Sequence, residues 1–383
     1  MALNPIESFP IDHPAPEVPQ LQFQWGDLTQ MGPADTVDVL VVSALPGDYA
    51  PTPGSLIGAL AAAGISVEQL AQNKETDYRP QMPCWISKQF QPTSPGIQFN
   101  RVLVYEPDNP SQTAASGAWA IFQALRCFYG TGSVRVAMPL VSTGSGGAEP
   151  AAVLNALSWA AVHYASSNQA SMPKITIAAF QQSTAQQLQP TFSGVKSGYG
   201  GVFGLSLPGA YASSVSWAQG QIGNVTLPAN LTQRQAIAIC IYTTNYYGEI
   251  NGTLRGYQPS APQYQAMFPL FEAIDSGLAN VTAHNGTTYR RENMGSREGE
   301  YQPGKVITDI AYTSTSLADL WSGRDLLQIA GSTGGEIWSY SAFPSEQEVL
   351  FDRNFVFTVN TRNCNSEGCT FGVSENVPDW CGG

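Results

Sequence analysis

The stretch FPSEQEVLF, residues 343–351, carries two carboxylates two positions apart, directly before an apolar run. Side chains two apart on an extended backbone project to the same face, so we expect Glu346 and Glu348 to reach one substrate. The apolar residues predict a strand over 348–351, and the run at 355–359 predicts its hairpin partner. A carboxylate at the start of a buried strand can offset positive charge that develops on a sugar carbon.

Two polar groups upstream extend this candidate site. Ser314 lies in the run Tyr-Thr-Ser-Thr-Ser at 312–316 and offers a hydroxyl that can orient a carboxylate. Arg290 follows Tyr289 and supplies a fixed cation with forked donors, which suit a diphosphate. Taken alone, each element has an ordinary interpretation, because acidic pairs are usually solvated edges and Ser or Thr usually forms turns or caps. Their order along the chain favours a site.

In this order the three motifs resemble the Arg-Ser-Glu branch of the mono-ADP-ribosyltransferases, which includes bacterial toxins and effectors. That family has an aromatic-Arg pair on its first core strand, Ser-Thr-Ser on the second and Glu-x-Glu entering a later one. The similarity covers roughly residues 228–360. It implies an enzyme that transfers ADP-ribose from NAD, its co-substrate, to a protein acceptor and releases nicotinamide.

The resemblance also implies a role for each matching residue. Arg290 would bind the NAD phosphates, Ser314 would position the catalytic Glu348, and Glu346 would favour arginine as the acceptor. Only one of the adjacent Arg290 and Arg291 can face the cleft, and the family pattern favours the residue after the aromatic. Further candidate NAD contacts are Arg291, Thr315, Ser316 and Arg324, although a solvated arginine is an equal alternative for the last.

The first half of the chain alternates strand-like and helix-like runs. A nearly continuous apolar run at 37–42 is typical of a central parallel strand, and the alternation predicts a mostly parallel sheet between helices. A glycine-rich run at 142–147 lies between a predicted strand and a predicted helix. Such a turn can present backbone N–H groups to a phosphate, but glycine-rich connections are also common for geometric reasons alone.

The order of these loops resembles the macro domain, an ADP-ribose-binding fold. The resemblance implies that Asp27, in Gly-Asp-Leu-Thr, contacts adenine, and that two loops wrap the diphosphate: Gly54 and Ser55 in the first, and Ser142, Thr143, Gly144, Ser145 and Gly146 in the second. The family's Asn-Ala-Ala-Asn is Ser-Ala-Leu-Pro here, at 43–46. Because hydrolytic relatives use those asparagines, we expect a domain that binds ADP-ribose without removing it, or a degenerate scaffold.

The chain therefore divides into segments with different expectations. Residues 1–20 are predicted to be a loose leader, 21–190 the macro-like α/β domain, and 191–230 an ordered connector rich in Gly, Ser and Ala. Residues 231–362, with helices first and strands afterwards, are predicted to form the α+β ADP-ribosyltransferase domain. Residues 363–383 are predicted to be a tail that contains cysteine and glycine.

Charge and cysteine content limit partners and location. The formal net charge of −12 argues against nucleic acid or an anionic membrane as a partner. No apolar stretch is long enough to span a membrane, and no signal peptide is evident, so we expect a cytoplasmic protein or one delivered into a target cell. Five Asn-x-Thr sequons between 224 and 287 keep an extracytoplasmic destination open.

The six cysteines lack zinc-site spacing, so no metal is expected. Cys84, Cys127 and Cys240 are predicted to be buried thiols, whereas Cys364, Cys369 and Cys381 can hold a disulfide. Two alternatives to a transferase remain at this point. One is an NAD glycohydrolase, in which water replaces the acceptor, and the other is a module that binds NAD or ADP-ribose without turnover. The second carboxylate argues against the binding module.

Overall fold

The computed structural model describes residues 2–11, 18–79, 81–92, 94–107, 114–130, 132–144, 146–166, 171–200, 211–256 and 262–377. The chain forms two compact units, Met1–Tyr199 and Gly200–Pro378. The predicted connector at 191–230 contains the end of one helix and a second helix, Tyr211–Ile222, on either side of residues outside the described ranges.

The first unit is built on one eight-stranded sheet. In chain order its strands are β1 Asn4–Pro10, β2 Gln20–Trp25, β3 Val39–Ser43, β4 Lys74–Asp77, β5 Cys84–Ser87, β6 Arg101–Tyr105, β7 Val136–Pro139 and β8 Lys174–Ala179. Their spatial order is β1-β2-β8-β7-β3-β6-β5-β4. The pairs from β2 to β6 are parallel, and the pairs at both edges are antiparallel.

Helices cover this sheet: α1 Leu56–Ala62, α2 Val67–Gln72, α3 Ala114–Tyr129, α4 Pro150–Ser166 and α5 Gln182–Gly200. The first two pack on the face that carries Leu40 and Val42. All four apolar residues of β3, Val39 to Val42, have an exposure of 0%. Both faces of the central strand are therefore covered, as its unbroken apolar run predicts.

The second unit begins with helices. These are α6 Tyr211–Ile222, α7 Gln233–Ile241, a π-helical turn at Tyr242–Tyr246, α8 Tyr247–Arg255 and α9 Pro262–Leu278. The Thr232 side chain accepts a hydrogen bond from the Gln235 N–H and so caps α7. The helices bury an apolar core against one face of a second sheet. Tyr312, Ile337 and Leu350, which lie in or next to its strands, belong to this core.

The strands of the second sheet are β9 Gly286–Glu292, β10 Val306–Asp309, β11 Thr313–Ser316, β12 Asp325–Gly331, β13 Gly335–Glu336, β14 Glu348–Phe351, β15 Phe355–Cys364 and β16 Cys369–Glu375. Their order is β10-β15-β16-β12-β9-β11-β14-β13. Only the β12–β16 pair is parallel. A second core, rich in phenylalanine, lies on the other face. The order of helices first and strands afterwards is the predicted α+β arrangement.

Two segments expected to be loose are part of the sheets. The predicted leader is wrong for residues 4–10, because β1 pairs antiparallel with β2 along its length. The predicted tail is wrong for residues 369–375, because β16 lies between β15 and β12 inside the second sheet. In that strand Cys369, Phe371 and Val373 are buried in alternation, so the strand contributes to the core.

The cysteines also differ in part from expectation. Cys364 and Cys369 form a disulfide that closes the turn between β15 and β16. Cys127 is disulfide-bonded as well, so the prediction of a buried thiol is wrong there. Cys84 and Cys240 are buried thiols outside any disulfide, as predicted. Across the described ranges, no helix has the length and apolar character that crossing a membrane requires.

Candidate active site

The three sequence motifs meet on three neighbouring strands. In β9, Tyr289 lies opposite Ser316 of β11, and Ser316 in turn lies opposite Glu348 of β14. Antiparallel pairing brings directly opposed residues within side-chain contact distance. The aromatic-Arg pair, the Ser-Thr-Ser run and the second glutamate therefore converge, although about sixty residues separate the first from the last along the chain.

Glu348 lies at the centre of this arrangement. Its exposure is 4%, and the Ser314 hydroxyl donates a hydrogen bond to its Oε1. The pKa of Glu348 is raised from its ordinary value of 4.5 to about 7: burial and the negative charge of Glu346 raise it, and the Ser314 hydroxyl and the Arg290 charge partly offset them. A buried carboxylate that titrates near neutral pH is typical of a group with a chemical task.

Arg290 and Arg291 have different partners. The Arg290 Nη1 donates to the backbone carbonyl of Ser314 at 2.8 Å, and its Nη2 lies 3.4 Å from Glu292. Its side chain is 18% exposed, so part of the guanidinium faces solvent. Arg291 instead donates from Nε and Nη2 to the two carboxylate oxygens of Asp319, both at 2.6 Å. Arg291 thereby holds the loop between β11 and β12, and its contact with NAD stays a prediction.

The remaining residues of the Ser-Thr-Ser run bond to the backbone. The Thr315 hydroxyl donates to the Val349 carbonyl at 2.7 Å, and the Ser316 hydroxyl donates to the Glu346 carbonyl at 2.7 Å. Both side chains have an exposure of 0%. The hydroxyls of these two residues are enclosed and already bonded, so they are not placed to make the predicted contacts with NAD. Thr315 thereby fixes β14, and Ser316 fixes the end of the turn that precedes it.

The backbone between the two glutamates is not extended, so the prediction that strand alternation places both side chains on one face is wrong. Pro344–Glu346 forms a 3₁₀ turn, and Gln347 has the left-handed values φ 47° and ψ 53°. Glu346 is half-buried and close enough to Glu348 to raise the pKa of that carboxyl. The two carboxylates therefore do act at one place, but a turn brings them together and they belong to different elements.

Arg324 lies at the end of the β11–β12 loop and is 50% exposed. Its Nη2 lies 3.2 Å from Glu298, and its Nε lies 3.9 Å from Asp325. Glu298 also pairs with Arg362 at 2.7 Å, next to the Cys364–Cys369 disulfide. The contacts of Arg324 are those of a surface ion-pair network, which is the alternative considered from its sequence context.

The candidate residues of the first unit lie at the carboxyl ends of parallel strands. Asp27 follows β2, the loop with Gly54 and Ser55 follows β3, and the loop with Ser142, Thr143, Gly144 and Gly146 follows β7. Carboxyl ends of neighbouring parallel strands form one edge of a sheet, where open α/β proteins bind ligands. Ser145 lies outside the described residues.

Hydrogen bonds within each loop and from one loop to the end of β3 hold these loops. The Asp27 Oδ1 accepts from the N–H and the hydroxyl of Thr29, and the Ser55 hydroxyl caps α1 by accepting from the Gly58 N–H at 2.9 Å. Ser142 has φ 59°, and its N–H donates to the Ser43 hydroxyl at 3.1 Å. The second loop is thus tied to the end of β3, where the macro-domain asparagines are missing.

Two groups of side chains at these sites were not predicted from the sequence. Phe180 directly follows β8 and is 64% exposed, and the Gly26 N–H donates to the neighbouring Ala179 carbonyl, so Phe180 lies beside the Asp27 loop. In the second unit, Thr243 and Asn251 contact the segments that carry the glutamates and Ser314. A single exposed phenylalanine after a strand is a weak signal, and buried polar residues on helices give none.

Comparison with known proteins bears on the second unit. Residues 215–376 match the family model of the ADP-ribosyltransferase exoenzymes. A protein of Mycobacterium avium (strain 104) that is named for an NAD(+)–arginine ADP-ribosyltransferase activity, Mav, is 30% identical over 129 residues. The match covers 32% of this chain and spans only 15% of that relative's length.

Solved structures give weaker likenesses. Exoenzyme S of Pseudomonas aeruginosa, in complex with human 14-3-3 protein beta and bound to carba-NAD, covers 47% of this chain and 88% of its own, at 18% identity and a TM-score of 0.38. HopU1 of Pseudomonas syringae covers 37% of this chain and 76% of its own, at 18% identity and a TM-score of 0.34. At TM-scores below 0.5 these likenesses carry no weight. The site-bearing segment, residues 215–376, is a match to the ADP-ribosyltransferase exoenzyme family.

Proposed function

We propose that this chain transfers ADP-ribose from NAD to an arginine side chain of a protein acceptor and releases nicotinamide. The observation that carries the proposal is the hydrogen bond from the Ser314 hydroxyl to the buried carboxylate of Glu348, with Arg290 bonded to the same strand. The family match over residues 215–376 and the name of the Mycobacterium avium relative support it.

The reaction breaks the bond between nicotinamide and C1 of the ribose. Its electron pair leaves with nicotinamide, which becomes neutral, while positive charge grows on C1 of the ribose. The ionised Glu348 carboxylate stabilises that charge more than it stabilises neutral ground-state groups, so it accelerates bond cleavage. A guanidinium nitrogen of the acceptor then forms the new bond to C1 and loses a proton.

Arg290 would hold the donor. Its forked donors suit a diphosphate, and one of them already bonds to the Ser314 carbonyl, so the guanidinium is fixed before NAD arrives. The pyridinium charge of bound NAD favours the ionised form of nearby Glu348, which opposes the effect of burial on its pKa. Donor binding and activation of the carboxylate are thereby linked.

Glu346 would receive the acceptor. It lies in an exposed turn next to Phe343, which is 50% exposed, and its carboxylate is half-buried beside Glu348. A carboxylate can accept two parallel bonds from an incoming guanidinium and hold its nitrogen towards C1. This arrangement favours arginine over acceptors that lack a forked donor.

The test uses NAD labelled in its adenosine half, with a mixed protein extract and with free agmatine as acceptors. We expect label in protein and in agmatine, together with released nicotinamide, and mass spectrometry should locate the protein label on arginine. Free ADP-ribose without labelled acceptor would establish the glycohydrolase alternative. Calorimetric NAD binding without nicotinamide release would establish the non-catalytic module.

For the first unit we propose a macro-like fold that binds ADP-ribose without hydrolysing it. Support comes from the parallel sheet, from the loops after β2, β3 and β7 at one edge, and from the exposed Phe180 beside Asp27, a ring on which adenine can stack. Calorimetry with ADP-ribose should give binding that Asp27→Ala and Phe180→Ala each weaken. No heat with ADP-ribose would favour the degenerate scaffold.

We also propose that the chain acts in the cytoplasm of a target cell after delivery. The disulfides at Cys364–Cys369 and at Cys127 are typical of proteins that pass through an oxidising compartment before they act. Mass mapping of alkylated protein, recovered outside the producing cell and from the target cytoplasm, checks this. A fully reduced extracellular form would contradict it.

A further inference from the structure

The π-helical turn at Tyr242–Tyr246 brings a threonine to the start of the acceptor-side loop. At Thr244, φ −81° and ψ −178° depart from helical values, so the chain bends between α7 and α8. Thr243 is 7% exposed. Its hydroxyl donates to the Cys240 carbonyl at 2.9 Å and accepts from the Ala342 N–H at 2.8 Å. Irregular turns of this kind inside helices often serve functional sites.

The bond to Ala342 fixes one end of the loop at residues 343–347, which we call the acceptor loop. Two hydrogen bonds fix its other end. The Ser316 hydroxyl donates to the Glu346 carbonyl, and the Leu317 N–H donates to the Gln347 carbonyl at 3.3 Å. Inside the loop the Glu346 N–H donates to the Phe343 carbonyl at 3.0 Å. The position of the Glu346 side chain therefore depends on an anchor at each end.

Glu348 is held by other contacts. It lies in β14, which pairs with β11 and β13, and its carboxylate is bonded to Ser314. The Thr243–Ala342 bond reaches neither of these strands directly. Release of that bond should therefore displace the acceptor loop and Glu346 while the bond-breaking carboxylate keeps its place.

We propose that Thr243 is a positioning residue for the acceptor step, holding the acceptor loop so that Glu346 meets the incoming guanidinium. The inference rests on the proposed function and adds to it a side chain on the helical layer, remote in sequence from all three motifs. A displacement of about 1 Å can cost a reaction on the order of 100-fold when it misaligns the attacking atom.

The test compares two isosteric substitutions in the same turn. Thr243→Val removes the acceptor of the Ala342 N–H. Thr244→Val is the matched control, because the Thr244 hydroxyl donates to the Ile241 carbonyl at 2.7 Å and accepts from the Tyr246 N–H at 3.3 Å, both within its own helical segment. Thr243→Ser keeps the hydroxyl and should rescue. Thermal unfolding of each variant measures how much stability the two valine substitutions cost the protein.

We expect Thr243→Val to lower transfer to agmatine about tenfold or more, the rate equivalent of one lost buried hydrogen bond, and to raise the KM for agmatine. NAD hydrolysis should stay within about twofold of the wild type, since one misplaced acceptor group need not slow attack by water. Thr243→Ser should restore transfer, and Thr244→Val should keep the wild-type ratio of transfer to hydrolysis. The backbone amides of residues 342, 343 and 345–347 should exchange hydrogen faster in Thr243→Val alone.

Equal losses of transfer and hydrolysis in Thr243→Val would overturn the inference, because they indicate a general structural role. The same split in Thr244→Val, or unchanged exchange at 342–347 in Thr243→Val, would also overturn it. A wild-type protein with neither activity would instead refute the proposed function. In that case the exchange measurement still decides whether Thr243 anchors the loop.

Discussion

The Nη1 atom of Arg290 lies 2.8 Å from the carbonyl oxygen of Ser314 and donates a hydrogen bond to it. This bond joins the strand that would hold the donor to the strand whose hydroxyl orients Glu348. The same guanidinium lowers the pKa of Glu348 by its charge. One side chain thus braces the strand that orients the carboxylate and favours its ionisation, and on the proposed function it would also bind the NAD phosphates.

Replacing the adjacent arginines one at a time should separate these duties. Arg290→Lys keeps the charge but loses the fork, so NAD affinity should fall about tenfold or more. Arg291→Lys loses only the two-point contact with Asp319, a partly exposed pair that contributes about 0–1 kcal/mol, so its effect on affinity should be smaller. Calorimetric titration with NAD measures both, and the reverse ranking would exchange the two assignments.

Removal of the Glu348 charge should stop the chemistry and spare binding. Glu348→Gln keeps the shape but no longer stabilises positive charge on C1, so both transfer and hydrolysis should fall by about 10²–10³-fold. The dissociation constant for NAD should stay close to that of the wild type. Nicotinamide release at the wild-type rate from this variant would refute the role of Glu348.

The same substitution should change stability in a pH-dependent way. Burial raises the pKa of Glu348 in the folded state to about 7, above its ordinary value of 4.5, so the unfolded chain releases this proton first. Wild-type stability therefore falls, relative to Glu348→Gln, as pH rises from about 4.5 to 7, by about 3 kcal/mol in total. Chemical denaturation at pH 4.5, 6 and 8 measures the difference, and a constant difference would contradict the raised pKa.

The two glutamates should differ in what they affect. Glu346→Gln removes the carboxylate expected to hold the acceptor guanidinium, so transfer to agmatine should fall at least tenfold while NAD hydrolysis persists. Label in agmatine and released nicotinamide are measured on one preparation. If both fall together, Glu346 serves bond cleavage or the fold. If neither falls, arginine is not the acceptor.

Ser314 should set the pH at which the enzyme becomes active. Its hydroxyl donates to the charged form of Glu348 and lowers the pKa of that carboxyl, so Ser314→Ala should shift the pKa further upward. We expect the rising limb of kcat/KM for NAD to have its midpoint near pH 7 in the wild type and at a higher pH in Ser314→Ala. A downward shift would show that the hydroxyl does not stabilise the carboxylate.

The convergence of Arg290, Ser314 and Glu348 was predictable from the order of the three motifs and from the family resemblance, because β9 and β11 are too polar for an apolar pattern to reveal them. The geometry of Glu346 was not predictable. Pro344 and Ser345 are compatible with a turn, but glutamine seldom takes the left-handed conformation that Gln347 adopts. The resemblance predicts both carboxylates at one site, and a turn, not strand alternation, brings them there.

Strand β1 was missed because Pro5 and Pro10 suggest a loose segment, yet an edge strand tolerates proline where its missing N–H would face solvent. Strand β16 was missed for another reason. Its alternating Cys369, Phe371 and Val373 form a strand pattern, but the cysteines and glycines around it fit a disulfide-held tail equally well. Thr243 could not be found from sequence, because its partner Ala342 is ninety-nine positions away and bonds through its backbone.

The left-handed Gln347 separates two parts of the molecule that evolution can change independently. Upstream, the Phe343–Glu346 turn is mostly exposed and on the proposed function would meet the protein to be modified, while downstream Glu348 is fixed in the register of β14 against β11. A loop of different length or composition could be exchanged between Ala342 and Gln347 without moving Glu348 along its strand. The cleavage of NAD can therefore remain constant while the range of target proteins diversifies.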